Sequence, residues 1–234
     1  MINGKVDPNT NPELIVDGFP VQRSHASKTI AFDNAGHLYV NVGAPSNACM
    51  EEARTPGSSG IDPCPQLDWQ AGIWRFDANK PNQDQQKDGH RYASGIRNAV
   101  ALEWNDKENA LYAIQHGRDQ LNNLFSDMYT EDESAELPSE EFIKIADGDD
   151  FGWPYCYFDH HQGKKMLAPE VGGDGNATGR CEGIKEPIMN FPAHWAPNDL
   201  LFYTGDQFPE KYKNGAFIAF HGSWNRSPQE QEGY

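Results

Sequence analysis

Three stretches of this chain share one plan. Residues 29–43 (TIAFDNAGHLYVNVG), 99–117 (AVALEWNDKENALYAIQHG) and 199–222 (DLLFYTGDQFPEKYKNGAFIAFHG) each run an apolar strand into a polar turn and out along a second strand that ends in glycine. Short apolar runs bounded by turn residues read as β-strands, and further strands follow at 72–78 (GIWRFDA) and 141–148 (EFIKIADG). A repeated strand pair cannot bury both of its faces alone and must stack on its neighbours. The expectation is therefore an all-β chain whose units of three or four antiparallel strands form β-propeller blades; a β-sandwich with long loops also suits the spacing. Helices are expected only as short pieces, around 138–144 and 209–212, and the acidic run 130–141 (TEDESAELPSEE) reads as an exposed loop. Blades take roughly 40 to 50 residues and rings hold four to eight of them. With 234 residues and three clear strand pairs, residues 1–234 read as one partial propeller of about three to four blades, its first and last blades missing.

What precedes each unit carries the chemistry. The lead-ins are SHASK at 24–28, SGIRN at 94–98 and PAHWAPN at 192–198. In a propeller the innermost strands converge on a central channel, so His25, Arg97, Asn98 and His194 are expected at a single mouth. An imidazole at His25 could act as a general base near neutral pH, although a lone His before a strand is more often structural. Arg97-Asn98 sets a planar cation beside an amide, suited to carboxylates or a carbonyl-bearing ligand; the plainer reading is a hydrogen-bonded pair that fixes a loop. The turn HGRDQL at 116–121 offers oxygen donors of the kind hard cations take, through Gly117, Arg118 and Asp119. DGDDFGWPYC at 147–156, with Glu141 upstream, is again oxygen-rich but lacks the ligand spacing of an EF-hand.

Charge and cysteines narrow the class. With 19 Lys and Arg against 35 Asp and Glu, the net charge is −16, which argues against nucleic-acid binding. No run approaches the ~20 apolar residues that span a bilayer, and mean hydropathy is −0.77. Cys49 with Cys64 and Cys156 with Cys181 form two local pairs in Gly/Pro/Asp-rich loops, without CxxC spacing. Two disulfides are expected, which places the protein in an oxidising compartment such as a periplasm or outside the cell; four buried free thiols in a cytosolic protein is the alternative.

The blocks SHASKTIAFDNAGHLYVNVGAPSNAC, SGIRNAVALEW, HGRDQL, EFIKIADGDDFGWPYC, HWAPNDLLFYTG and GAFIAFHGSWNRS follow one another from residue 24 to the C-terminus. In that order they resemble the soluble glucose/sorbosone dehydrogenase family, most closely its sorbosone dehydrogenase-like branch. The resemblance implies a six-bladed β-propeller that binds pyrroloquinoline quinone (PQQ) and Ca²⁺ and oxidises sugars, passing electrons to an external acceptor that can be a cytochrome c domain. It implies His25 as the base that takes the proton of the sugar hydroxyl, and Arg97, Asn98 and either Asn225 or Arg226 as cofactor contacts. It also implies the carbonyls of Gly117 and Arg118 as ligands of the Ca²⁺ that polarises the quinone, and Glu141 with the Phe151 backbone as part of a second, structural calcium site. Two departures stand out. Gly43-Ala44-Pro45 lies where the glucose-oxidising branch has an Asp that pairs with the catalytic His, so His25 needs another orienter. Asn225 stands in place of a Lys that contacts the quinone. A propeller that binds carbohydrate or a protein partner without redox chemistry, and a calcium-dependent lactone hydrolase, are the competing readings.

Overall fold

In a computed structural model, residues 11–234 are described. Strands dominate. In chain order they are β1 (Val16–Asp17), β2 (Ile30–Phe32), β3 (His37–Val42), β4 (Gly72–Asp77), β5 (Gln83–Asp84), β6 (His90–Ser94), β7 (Ala101–Asn105), β8 (Ala110–Gln115), β9 (Glu140–Ile145), β10 (Asp149–Asp150), β11 (Cys156–Asp159), β12 (Lys164–Leu167), β13 (Met189–Phe191), β14 (Pro197–Phe202) and β15 (Ala216–Phe220). The three repeated strand pairs of the sequence are β2–β3, β7–β8 and β14–β15, each antiparallel. Around them grow a five-stranded sheet in the order β10-β6-β4-β3-β2 and a four-stranded sheet in the order β13-β9-β8-β7, beside the two-stranded β14-β15.

The sheets stack face to face, as units with two apolar faces must. Between the first and second lie Ile73, Ile96, Leu111, Ala113, Ile143 and Phe151, all completely buried, with Tyr39 stacked on Trp104 across the gap. Between the second and third lie Ala101, Tyr112, Ile114, Phe142 and Leu200, with Phe202 and Ile218 packed on them. Strand β8 is buried at every position because its alternating side chains serve both layers: Leu111 and Ala113 one way, Ala110, Tyr112 and Ile114 the other. Truncating such a residue to Ala costs about 2–5 kcal/mol. The innermost strands β2, β7 and β14 lie side by side. The segments that lead into them are thereby drawn to one end of the stack.

The helical expectations hold only in part. Glu210–Tyr212 is a short 3₁₀ helix, but 138–144 is not helical: it runs into β9, whose pairing with β8 supplies hydrogen bonds that a lone turn could not match. The acidic run is not wholly loop either. Glu131–Glu136 forms helix α1, started by a capping box in which the Thr130 side chain accepts from the Glu133 N–H and the Glu133 carboxylate accepts from the Thr130 N–H. Both expected disulfides form, Cys49–Cys64 and Cys156–Cys181, and no cysteine is free.

Candidate active site

Two of the lead-ins touch Asp119, through Arg97 and His194, and the third brings His25 to the same cleft. The Asp119 carboxylate receives an N–H of Arg97 at 3.0 Å and one of Arg54 at 3.1 Å, lies 3.6 Å from His194 Nδ1, and accepts from the Asn225 amide at 3.3 Å. Burial works against its ionisation, yet the Arg97 guanidinium, with His194 and Arg54 beside it, wins and holds its pKa down to about 2. Asp119 and Arg97 form one wall of an open cleft of about 220 Å³, with His25, Ser46, Asn47 and Arg54 around the rest.

His25 enters the cleft with one ring nitrogen committed. Its Nδ1–H donates to the Ala44 carbonyl at 2.6 Å, which leaves Nε2 without a proton and, among the described residues, without a partner. Burial first, then the Arg97 cation, lower its pKa to about 4, so the ring is neutral across the physiological range. The missing Asp partner noted in the sequence is thus answered by a backbone carbonyl in the very segment, Gly43-Ala44-Pro45, that replaces it.

Arg97 is buried and spends most of its donors inside the protein: Nε on the Asn47 carbonyl, one terminal nitrogen on the Gly117 carbonyl at 2.7 Å, the other on Asn47 Oδ1 and Asp119. Asn98 is also buried, accepting from Asn41 behind the wall of the cleft. These two residues chiefly shape the mouth. Of the two candidates in SWNR, Asn225 reaches Asp119, whereas Arg226 turns inward. Its guanidinium is buried on the carbonyls of Ala135, Ala193 and Glu230 and on Glu136, where it ties helix α1 to the third unit.

Residues expected at the cation sites divide in a way that strand geometry explains. Successive side chains of a strand point to opposite faces, so Glu140 and Glu141, adjacent on β9 and both buried, serve different places. Glu140 accepts the N–H groups of Gly117 and Ala196, and burial raises its pKa to about 7. It fixes the turn whose Gly117 carbonyl faces Arg97, a turn with no room for a side chain because a Cβ at Gly117 would lie 2.8 Å from the Pro138 carbonyl. Glu141 points the other way and does meet the Phe151 carbonyl, but around a cation the chain supplies itself. Lys165 Nζ donates to Glu141 at 2.6 Å and to the Phe151 oxygen at 2.8 Å, in a pair only 2% and 5% exposed. Burial raises the Glu141 pKa, against the pull of Lys165. An ammonium of the chain thus stands between the two groups expected to take part in the structural calcium site. The Arg118 side chain is likewise internal, paired with Glu170 in the interior.

Sequence reasoning missed Asn47, Lys165 and Glu140. Asn47 is the hub of the mouth: its carbonyl accepts from Arg97 Nε and Trp153 Nε1, its Oδ1 from Arg97 and the Asp119 N–H, and its Nδ2 donates to the Asp119 carbonyl. It sits two residues before Cys49, so the Cys49–Cys64 disulfide braces the loop that carries it.

Two guanidinium groups and a low-pKa carboxylate line the cleft, while the Asn225 amide and the Gly117 carbonyl meet that carboxylate and Arg97; cationic donors suit an anionic, hydrogen-bonding cofactor, and oxygen donors a hard cation. Among the described residues no three His, Cys, Asp or Glu side chains gather as a metal cage, so a cation at this mouth would rely on backbone carbonyls.

Comparison with known proteins places the chain. The model of the TrAA12-like family matches residues 3–234. The chain belongs to that family. A curated relative from Borreliella burgdorferi, described only as an uncharacterized protein, is 32% identical over 136 residues, covering 58% of this chain and 31% of its own. Among solved structures, the holo form of the pyranose dehydrogenase PQQ domain from Coprinopsis cinerea superposes with a TM-score of 0.70 at 20% identity, over 94% of this chain and 54% of that one. The calcium structure of the Trichoderma reesei family AA12 carbohydrate-active enzyme gives 0.66 at 20% identity, over 91% of this chain and 53% of that one. This family member thus spans about half the length of the solved proteins whose mostly-β fold it shares.

Proposed function

We propose that this TrAA12-like chain carries the base and part of the cofactor mouth of a sugar oxidoreductase that uses PQQ and Ca²⁺ and acts on CH–OH or aldehyde groups. The observation that carries the reading is His25, its Nδ1 tied to Ala44 and its Nε2 left open on a cleft walled by Arg54, Arg97 and Asp119. When bound, the quinone with its cation would accept the hydride of the sugar carbon. The chain's own residues do the rest. His25 Nε2 takes the hydroxyl proton, Arg54 and Arg97 offset negative charge in the cleft, Asn225 offers an amide, and the carbonyls of Gly117 and Arg118 would hold the cation. Family membership and the PQQ and calcium-bound neighbours support this assignment. Electrons then leave to an external acceptor, a cytochrome c domain among the candidates. The rest of the propeller is proposed to lie outside residues 1–234, as the greater length of the solved neighbours supports. The two disulfides favour a periplasmic or secreted setting, and among the described residues no helix is long and apolar enough to cross a membrane.

The test is sugar-dependent dye reduction by the full-length protein loaded with PQQ and Ca²⁺. His25→Ala should lower turnover by roughly 10²–10⁴-fold, while quenching of tryptophan fluorescence by PQQ persists. Turnover unchanged in that variant would remove His25 as the base.

A further inference from the structure

The backbone of His25 is not at rest on its own. Its φ of 49° is left-handed, a conformation that is unfavourable for a residue with a Cβ. Something must hold it there, and the hydrogen bonds name the group. Gln22 Nε2 lies 2.8 Å from the Ser24 carbonyl, 2.9 Å from that of His25 and 2.9 Å from that of Gly43, so its two hydrogens are shared among three acceptors. Two of those carbonyls belong to the His25 loop and one to the end of the strand pair, 21 residues away. The amide is set the right way round by Gln70, whose Nε2 donates to Gln22 Oε1 at 2.9 Å.

The other side of the loop is equally confined. A Cβ at Gly43 would lie 2.7 Å from His25 Cβ and 2.5 Å from Asn98 Oδ1, so only glycine lets the imidazole approach this closely. The next residue presents the carbonyl that His25 needs, and its orientation is fixed because the Ala44 N–H donates to the Arg97 carbonyl at 2.7 Å. Once the loop is pulled against Gly43, His25 Nδ1 has Ala44 O as its partner and Nε2 has the cleft. If the loop lifts, that 2.6 Å bond is lost and either ring nitrogen can carry the proton.

We propose that Gln22, oriented by Gln70, is the positioning residue of the candidate base: it ties the His25 loop to Gly43 and so keeps the ring in the Nδ1–H form with Nε2 open to the cleft. The catalytic half of this assignment rests on the reading of His25 as the base; the structural half does not. Gln22 touches neither substrate nor cofactor in this scheme and acts through His25 alone.

The decisive variants keep the length of the side chain and change its donors. Gln22→Met preserves bulk and removes all three bonds, whereas Gln22→Glu turns a second oxygen toward three carbonyl oxygens. In the full chain labelled with ¹⁵N-histidine, the wild-type His25 ring should show one protonated Nδ1 and one unprotonated Nε2. Both variants should show a mixture of the two tautomers with the overall fold retained by circular dichroism. With PQQ and Ca²⁺ loaded, both should lose roughly ten- to a hundredfold in kcat while KM for the sugar stays within about twofold. Gln70→Ala, which only frees the amide to rotate, should give a smaller loss in the same direction. Wild-type ring signals and wild-type kcat in Gln22→Met would overturn the assignment, as would an Nε2–H ring in the wild type. Should the wild type turn over no sugar yet show the expected ring pattern, lost in Gln22→Met, the oxidoreductase reading fails and the positioning role of Gln22 stands.

Discussion

At the mouth, Asp119 meets Arg97, Arg54 and His194 on the wall of a 220 Å³ cleft and keeps 20% of its side chain exposed. In the interior, Glu141 meets Lys165 with the Phe151 carbonyl completing the ammonium's contacts, and both side chains are 5% exposed or less. Both clusters pair carboxylate with cation near a backbone carbonyl, and both looked like cation sites in the sequence. They differ in what is left over. The interior pair must satisfy itself, because a buried charge without a partner costs several kcal/mol, and its carboxylate is further met by Gln115 and the Phe158 backbone. The mouth leaves His25 Nε2 unspent and open to the cleft. Chemistry needs such a remainder, and a well-satisfied ion pair has none to offer.

The sharpest way to break that contrast is Lys165→Ala. It strands the Glu141 carboxylate and should cost about 3–5 kcal/mol, lowering the melting temperature by roughly 6–20 °C for a chain of this size. The double variant Lys165→Met with Glu141→Gln should recover much of the loss, since a neutral pair has less to desolvate. A melting curve unmoved by Lys165→Ala would mean that the interior cluster is not the structural element described. Asp119→Asn should do less to stability, about 1–3 kcal/mol read from the urea midpoint, because the partly exposed mouth lets water replace part of what Arg97 loses. A loss as large as that of Lys165→Ala would erase the distinction between the two regions.

The smallest expected effect is a pH slope. His25 and His116 both have folded pKa values lowered to about 4 by burial, so the unfolded chain binds more protons, and stability present above pH 6.5 is lost as pH falls from there toward 4. Glu140, raised to about 7, works the other way: its folded form keeps the proton, and stability declines as pH rises from about 4.5 through 7. The groups that face these three are Arg54, Arg97, Asp119 and His194. Two histidines against one carboxyl leave a net rise in stability with pH that levels off near pH 7, and Glu140→Gln should steepen that rise. Urea titrations at intervals of pH would show the change in slope.

Much of this was legible because it is local. Strand pairs announce themselves by apolar runs between turn residues, and the Cys pairs by their isolation in separate loops. The helix Glu131–Glu136 could have been found from Thr130 and Glu133, three residues apart, had the acidic composition not argued for loop. The Lys165 ammonium could not. It lies 24 residues from Glu141 on a different hairpin, and nothing near either residue tells that the two meet.

From the sequence alone came the repeated strand pair, the mostly-β class, both disulfide pairings and the gathering of the lead-ins, since each depends on periodicity or on the order of blocks along the chain. Tertiary structure decided which side chains remain available. Glu140 and Glu141 are neighbours with opposite tasks because the pleat sends them to opposite faces, and Arg226 braces a helix while Asn225 reaches the mouth. His25 has its Nε2 free because Ala44, brought to it through the fold, takes Nδ1, and Gln22, three residues before it, holds the loop against Gly43. Whether a polar group is spent or free is a property of what surrounds it in space, and that is settled only when the sheets stack.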